Sequence, residues 1–260
     1  MDIRLDGRTA LITGSSLGLG KAMARRFAEA GANVALLARR ADVLEETRAE
    51  IAAAASSRIG AYVCDVMDPA QIAATHEAAI AELGPIDILV NNVGASRTGP
   101  FMEITDEIWR DDIDLKLMSA VRFSRLVVPG MRERRWGRIV NVLNTGAKAP
   151  PAGGAPTVVT RAAGMALTKA MSAEYAPDNV LVNALLVGLI DSDQWVRRHA
   201  AAGDNRSYED FKAEMGRAIP MGRIGEAEEF ANMACFLVSD AASYITGTAI
   251  NVDGGRSPVV

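Results

Sequence analysis

The sequence is poor in the residues that mark several protein classes. Its 260 residues hold two cysteines, Cys64 and Cys235. Two thiols so far apart make neither a disulfide framework nor a cluster of metal ligands. Cys64 lies in the apolar run AYVCDV, where a buried strand residue is expected, and a reduced, cytoplasmic thiol fits best. No apolar run reaches about 18 residues, so no membrane span is expected. The stretch MDIRLDGRTALITG lacks a charged segment leading into a long apolar core, so no signal peptide is expected. An excess of basic charge is also missing: 28 Lys and Arg stand against 32 Asp and Glu, a net charge of −4. That balance gives no support to a nucleic-acid partner, and the short runs RRF (25–27) and RERR (132–135) read as solvated helix faces. Low-complexity linkers and internal repeats are absent too, which leaves one domain over 1–260.

What is present is ordered by alternation. Seven apolar runs, at 8–13, 33–38, 59–66, 86–92, 137–143, 179–187 and 247–253, read as strands. Helical spacing of apolar residues separates them, at 19–31, 41–55, 69–83, about 105–135, 157–176 and 226–238. A polar, Arg-rich segment fills 191–222. Strands alternating with helices imply a parallel sheet covered on both faces. The strands are almost wholly apolar, as strands buried on both faces must be.

The first strand leads into TGSSLGLG (13–20). Gly14, Gly18 and Gly20, with Ser16 and Leu19 in the same turn, let the backbone turn sharply and approach a pyrophosphate. The helix that follows offers free N–H groups and a positive end. A Gly-rich turn between strand and helix is the dinucleotide-binding arrangement. The expected fold is therefore α/β, a Rossmann-type doubly wound parallel sheet of about seven strands with helices on both faces. The second strand ends LLARRAD, with Arg39 and Arg40 and no acid before Asp42. An acid there would hold the ribose hydroxyl of NAD, whereas an Arg pairs with the extra phosphate of NADP. NADP(H) is expected over NAD(H), with Arg39 the better placed arginine.

These motifs resemble those of the short-chain dehydrogenase/reductase family. TGSSLGLG matches its T-G-x-x-x-G-x-G loop. CDV (64–66) looks like its adenine-contacting turn, carrying Asp65 and Val66. NNVG (91–94) is similar to its N-N-A-G, with Asn91 and Gly94 beside the adenine ribose. VNALLVGLIDSD (182–193) resembles V-N-x-x-x-P-G-x-I-x-T, keeping Gly188, Ile190 and Ser192 but placing Val187 where the family has Pro. YITGTAINVDGG (244–255) resembles the last strand and its glycine pair. The resemblance covers essentially the whole chain. It implies an oxidoreductase of a carbonyl or alcohol substrate, a homotetramer, and a mobile substrate lid at about 191–222.

The family's catalytic residues do not follow. Its Ser falls on Asn144, its Tyr on Thr157, its Lys four residues later on Arg161, and its Asn on Lys116. Reducing a carbonyl leaves an alkoxide that needs an acid. Tyr serves because a neighbouring ammonium brings its pKa down from about 10. Thr157 can donate a hydrogen bond but does not ionise near neutrality. Arg161 stays charged and passes no proton, though it can contact the cofactor ribose. Lys116 is the one replacement that can titrate, if burial lowers its pKa.

Elsewhere, Tyr208 stands four residues before Lys212, but in the lid segment. His199 and Trp195 belong to that segment as well, and His76 is expected to be exposed on the helix at 69–83. Lys148 follows the fifth strand and reads as a contact for an acidic substrate or as a solvated side chain. Three readings remain open: an oxidoreductase with an altered proton path, a cofactor-binding relative without catalysis, and a lyase or isomerase. On any of them little ordinary carbonyl reductase activity is expected. The arginines of the lid segment (Arg197, Arg198, Arg206, Arg217, Arg223) hint at an anionic small-molecule substrate.

Overall fold

The near-continuous Val, Ile, Leu and Ala of the inner strand runs is buried on both sides in the computed structural model, while the two edge runs are partly exposed. The structure describes residues 3–201 and 206–260, apart from the side chains of Asp193 and Gln194. The strands are β1 (Thr9–Thr13), β2 (Asn33–Ala38), β3 (Ile59–Val63), β4 (Ile88–Asn91), β5 (Gly137–Asn144), β6 (Val180–Val187) and β7 (Ala249–Val252). They form one seven-stranded sheet in the order β3-β2-β1-β4-β5-β6-β7. Every pairing is parallel.

Successive residues of β1 point to opposite faces, and each face has its own core. Ile12 packs with Met23 and Phe27 of α1 (Gly18–Glu29), with Leu44 of α2 (Ala41–Ala54) and with Phe230 of α9 (Ala227–Val238). Leu11 packs with Ile72 of α3 (Pro69–Leu83), with Phe123 and Val127 of α5 (Ser119–Glu133) and with Met171 of α6 (Thr157–Tyr175). The Arg-rich segment holds two short helices, α7 (Asp193–Ala201) and α8 (Tyr208–Gly216).

Three expectations change in detail. The third strand run ends at Val63, because Cys64 to Val66 turn away. The Cys64 N–H donates to Ala38 O, and the Asp65 carboxylate accepts from the Met67 N–H at 3.0 Å. The helix expected over about 105–135 is interrupted: α4 (Asp106–Ile113) passes through a π-helical turn, Asp114–Met118, into α5. There the Ser119 N–H donates to Asp114 O, five residues back. Hydrophobic spacing averaged over a long helix cannot register one wide turn. His76, expected at the surface, is half-buried, and loss of solvent lowers its pKa.

The strand order reverses between β1 and β4. Their crossover connections leave on opposite sides, which opens a crevice beyond the strands' carboxyl ends. The glycine loop after β1 and the NNVG turn after β4 both lie there. Among the described residues no helix is long and apolar enough to cross a membrane.

Candidate active site

The crevice is a cleft of ≈ 660 Å³. One end is walled by the glycine loop. Thr13 Oγ1 accepts from the Asn92 N–H at 2.9 Å, and Asn92 Nδ2 donates to the carbonyls of Thr13 and Gly14 at 3.0 and 3.1 Å. The loop is thereby stitched to the strand beside it. Gly18 has φ +55°, a left-handed conformation that favours glycine. A Cβ on Gly20 would lie 2.2 Å from Gly14 O, so a side chain there would force the turn open. The first turn of α1 has no side-chain cap, so its N–H groups remain free for an anion.

Most residues expected at a cofactor line this cleft: Gly14, Ser16, Gly18, Leu19, Gly20, Arg39, Asp65, Val66, Gly94 and Ser192, together with Asn144, Thr157 and Arg161. Arg39 and Arg40 are exposed and have no side-chain partner among the described residues. Three expected residues lie elsewhere. The Asn91 side chain, expected beside the ribose, is buried inside the sheet, where Nδ2 donates to Asn141 Oδ1 at 2.8 Å. Alternation along β4 turns Asn91 inward and leaves Asn92 at the cleft. Gly188 is held by β7 through its N–H to Val252 O. Ile190 lines a separate cavity of ≈ 480 Å³ with Met221 and Asp253.

Of the four residues expected at catalytic positions, Asn144, Thr157 and Arg161 line the cleft, and Lys116 reaches it through Thr157. Thr157 opens α6 and is 3% exposed. Its hydroxyl donates to Arg97 O at 2.7 Å and accepts from the Arg97 N–H at 2.9 Å. Lys116 Nζ donates to the same oxygen at 2.8 Å. Behind it Asp112, fully buried, accepts from Lys116 and, at 2.8 Å, from the Thr160 hydroxyl. The π-helical turn carries Lys116, and such turns recur at functional sites.

Burial pulls the Lys116 ammonium down to about 8; Asp112 opposes the shift, while the Arg161 and Arg97 charges add to it. Lys116 therefore titrates close to neutrality, as burial of the ammonium was expected to allow. Arg161 donates to Val142 O at 2.6 Å. Burial lowers its guanidinium to about 10, against the pull of the Asp112 charge, and it stays charged at neutral pH. Arg161 Nε and Asn144 Oδ1 are buried without hydrogen-bond partners. Orphaned buried polar atoms in a native protein call for an occupant, and both belong to residues lining this cleft. With the open α1 terminus, they fit a dinucleotide lying along the cleft.

Other candidates are engaged elsewhere. Tyr208 donates its hydroxyl to the Asp191 carboxylate, and Lys212 reaches the same carboxylate at 3.2 Å. The apparent Tyr-x-x-x-Lys motif thus closes on Asp191. His199 packs against the Tyr208 and Phe211 rings, at 5.6 and 5.2 Å between centroids, joining α7 to α8. Trp195 is covered by Arg198, 4.7 Å from its ring centre. Lys148 is half-buried and does not line the cleft; its ammonium donates to Ala249 O at 2.6 Å. Asp112 was missed, although its spacing of four from Lys116 on one helix was a usable signal. Among the described residues no group of three His, Cys, Asp or Glu side chains is placed to hold a metal.

Known proteins share this architecture. A family model described as enoyl-(acyl carrier protein) reductase matches residues 14–257. Oxidoreductase UcpA of Escherichia coli (strain K12) is 37% identical over 255 residues, spanning 98% of this chain and 96% of its own. The crystal structure of L-sorbose reductase from Gluconobacter frateurii, complexed with NADPH and L-sorbose, superimposes with a TM-score of 0.95 at 34% identity, over 100% of both chains. An NADPH-bound short chain oxidoreductase from Pseudomonas aeruginosa PAO1, described as containing an atypical catalytic center, gives a TM-score of 0.92 at 36% identity, over 99% of both chains. Fold, glycine loop and end-to-end matches agree, and the chain belongs to the short-chain dehydrogenase/reductase family.

Proposed function

We propose that the protein is an NADP(H)-dependent oxidoreductase interconverting a carbonyl compound and an alcohol, with Lys116 and Thr157 as its proton path. The observation that carries this is the 2.8 Å hydrogen bond from Lys116 Nζ to Thr157 Oγ1, because Thr157 lines the cleft. When bound, the reduced cofactor supplies the hydride. The substrate oxygen, becoming an alkoxide, takes the Thr157 hydroxyl proton, and Lys116 returns one to Thr157. Alcohol oxidation runs the same path backwards. The hydroxyl must first turn from Arg97 O toward the cleft. Arg161 stays charged and favours the developing negative oxygen. Asn144 offers the oxygen a neutral donor. The deciding measurement is NADPH-dependent turnover with and without the Lys116 ammonium.

One observation favours a second reading, a cofactor-binding protein without turnover. The Thr157 hydroxyl proton already has an acceptor in Arg97 O, at 2.7 Å. NADPH binding with no substrate consumption across a carbonyl panel would establish it.

The cofactor preference rests on Arg39, unpaired at the adenine end, and is supported by relatives crystallised with NADPH. Arg39→Ala should weaken NADPH about 10-fold or more, the strength of a charge-assisted contact to phosphate, and leave NADH unchanged. Calorimetric titration of both cofactors checks this, and equal losses would remove Arg39 from phosphate recognition.

We also propose one domain with α7 and α8 as its lid, a cytoplasmic location and a homotetramer. Reduced, buried Cys64 and Cys235 support the compartment, and cell fractionation tests it. The half-exposed Val159 on α6 and the partly exposed Ile113 on α4 support helix pairing between copies. Sedimentation should find a four-chain species; a monomer at micromolar concentration would contradict it.

A further inference from the structure

Two side-chain contacts close the π-helical turn that carries Lys116. Such turns are rare, and one persists where its neighbours favour it over regular winding. The Ser119 N–H, which regular winding would give to Leu115 O, goes to Asp114 O instead. The Ser119 hydroxyl donates to Leu115 O at 2.6 Å, and Ser119 is buried. The second contact is the ion pair between Arg122 Nη2 and Asp114 Oδ1, at 2.6 Å. Its partners are eight residues apart. On a regular helix a side chain stands above the one about seven residues earlier, and eight overshoots. One extra residue within the span restores the alignment, so the wide turn brings Asp114 and Arg122 over one another. Arg122 Nη1 is buried with no partner, which leaves Asp114 to hold the guanidinium.

An extra residue anywhere between Asp114 and Arg122 would align the ion pair. The Ser119 hydroxyl fixes its place at Asp114–Met118. Lys116 is the buried residue of that turn. Its ammonium there meets Asp112 of α4 and Thr157 of α6, with the Arg161 and Arg97 charges nearby. We propose that Ser119 and the Asp114–Arg122 pair are positioning residues, which fix the wide turn so that the Lys116 ammonium is set on the Thr157 hydroxyl. None of the three lines the cleft, so their effect passes through Lys116.

The proposal rests on the oxidoreductase reading and deepens it, but its first readout needs no turnover. Lysine isotopically labelled at Cε reports each ammonium by NMR in the full-length protein, and the Lys116 signal is assigned by its loss in Lys116→Met. Burial outweighs Asp112 in setting Lys116 at about 8, so an ammonium released from its place titrates higher. Ser119→Ala/Arg122→Met should raise the Lys116 titration toward the ordinary lysine value. NADPH-dependent turnover should fall about 10²-fold, the cost of misplacing a reacting group by about 1 Å, with NADPH affinity as in wild type. Ser119→Thr/Arg122→Lys keeps hydroxyl and charge and should restore both. An unchanged Lys116 titration in Ser119→Ala/Arg122→Met overturns the proposal even if Tm falls, because a merely structural role lowers Tm alone. A rise just as large in Ser119→Thr/Arg122→Lys overturns it too. Should the first variant fail to fold, Ser119→Ala and Arg122→Met are read singly by the same titration. Wild type without turnover would remove the oxidoreductase reading, while the Lys116 titration still decides the positioning.

Discussion

Lys116→Met should lower NADPH-dependent reduction about 10²- to 10⁴-fold, the usual contribution of a positioned acid, while NADPH affinity stays within about twofold. The substitution also strands the Asp112 carboxylate in the core. Breaking a buried ion pair on one side costs about 3–5 kcal/mol, so a drop in Tm accompanies the loss of rate. Asp112→Asn/Lys116→Met removes both charges and should recover most of the stability without recovering turnover. That contrast separates a proton donor from a structural ammonium. The pH profile adds an independent readout. Reduction needs the protonated ammonium, and burial sets Lys116 at about 8. The reduction rate should therefore hold below that pH and fall above it, and alcohol oxidation should show the mirror image. Asp112 raises the Lys116 pKa, so in Asp112→Asn the break should move to lower pH. Undiminished turnover in the double variant would remove Lys116 from the reaction.

The second large effect is a gain. Asn144→Ser, Thr157→Tyr and Arg161→Lys together should raise turnover on simple ketones about 10²-fold, because the phenol carries its proton directly to the cleft. Lys116 and the new Lys at 161 would both favour the phenolate, which brings the Tyr pKa toward neutrality. Each change alone should give little, since such residues act as a unit. Thr157→Tyr by itself gives up both contacts to the Arg97 backbone and the Lys116 hydrogen bond without gaining the Ser and Lys. Steady-state kinetics on the three single variants and the triple variant test this. A triple variant no faster than wild type would mean that the nicotinamide end is misplaced, with Val187 the first residue to examine.

The sheet was legible because buried parallel strands need unbroken apolar runs, which survive in one dimension. The glycine loop was legible because tight turns need glycine at set intervals. That Asn144, Thr157 and Arg161 share one cleft, with Lys116 on Thr157, was legible too, since flanking elements hold their register. What those residues touch was not. The Arg97 backbone meets Thr157 across 60 residues of chain, and no local pattern marks that approach. Asn91 and Asn92 are identical in type, and only the pleat of β4 decides which one faces the cleft. Arg197 and Arg198 pose the same problem on α7: one covers Trp195 and the other faces the cleft, a choice made by the direction of each side chain. Tyr208 and Lys212 have the right spacing but meet Asp191, because the fold sets their helix against the loop after β6.

The wide turn at Asp114–Met118 also settles a question of register. An α-helix advances about 100° per residue, and the turn accommodates one residue more than regular winding would. Without it, every side chain beyond Met118 would stand about 100° further round the axis. Phe123, Val127 and Met131, all buried against the sheet, would leave that face together. Lys116 therefore occupies a helical irregularity that point substitution can re-equip with another side chain. A one-residue deletion cannot erase it without rotating the apolar seam of α5 out of the core.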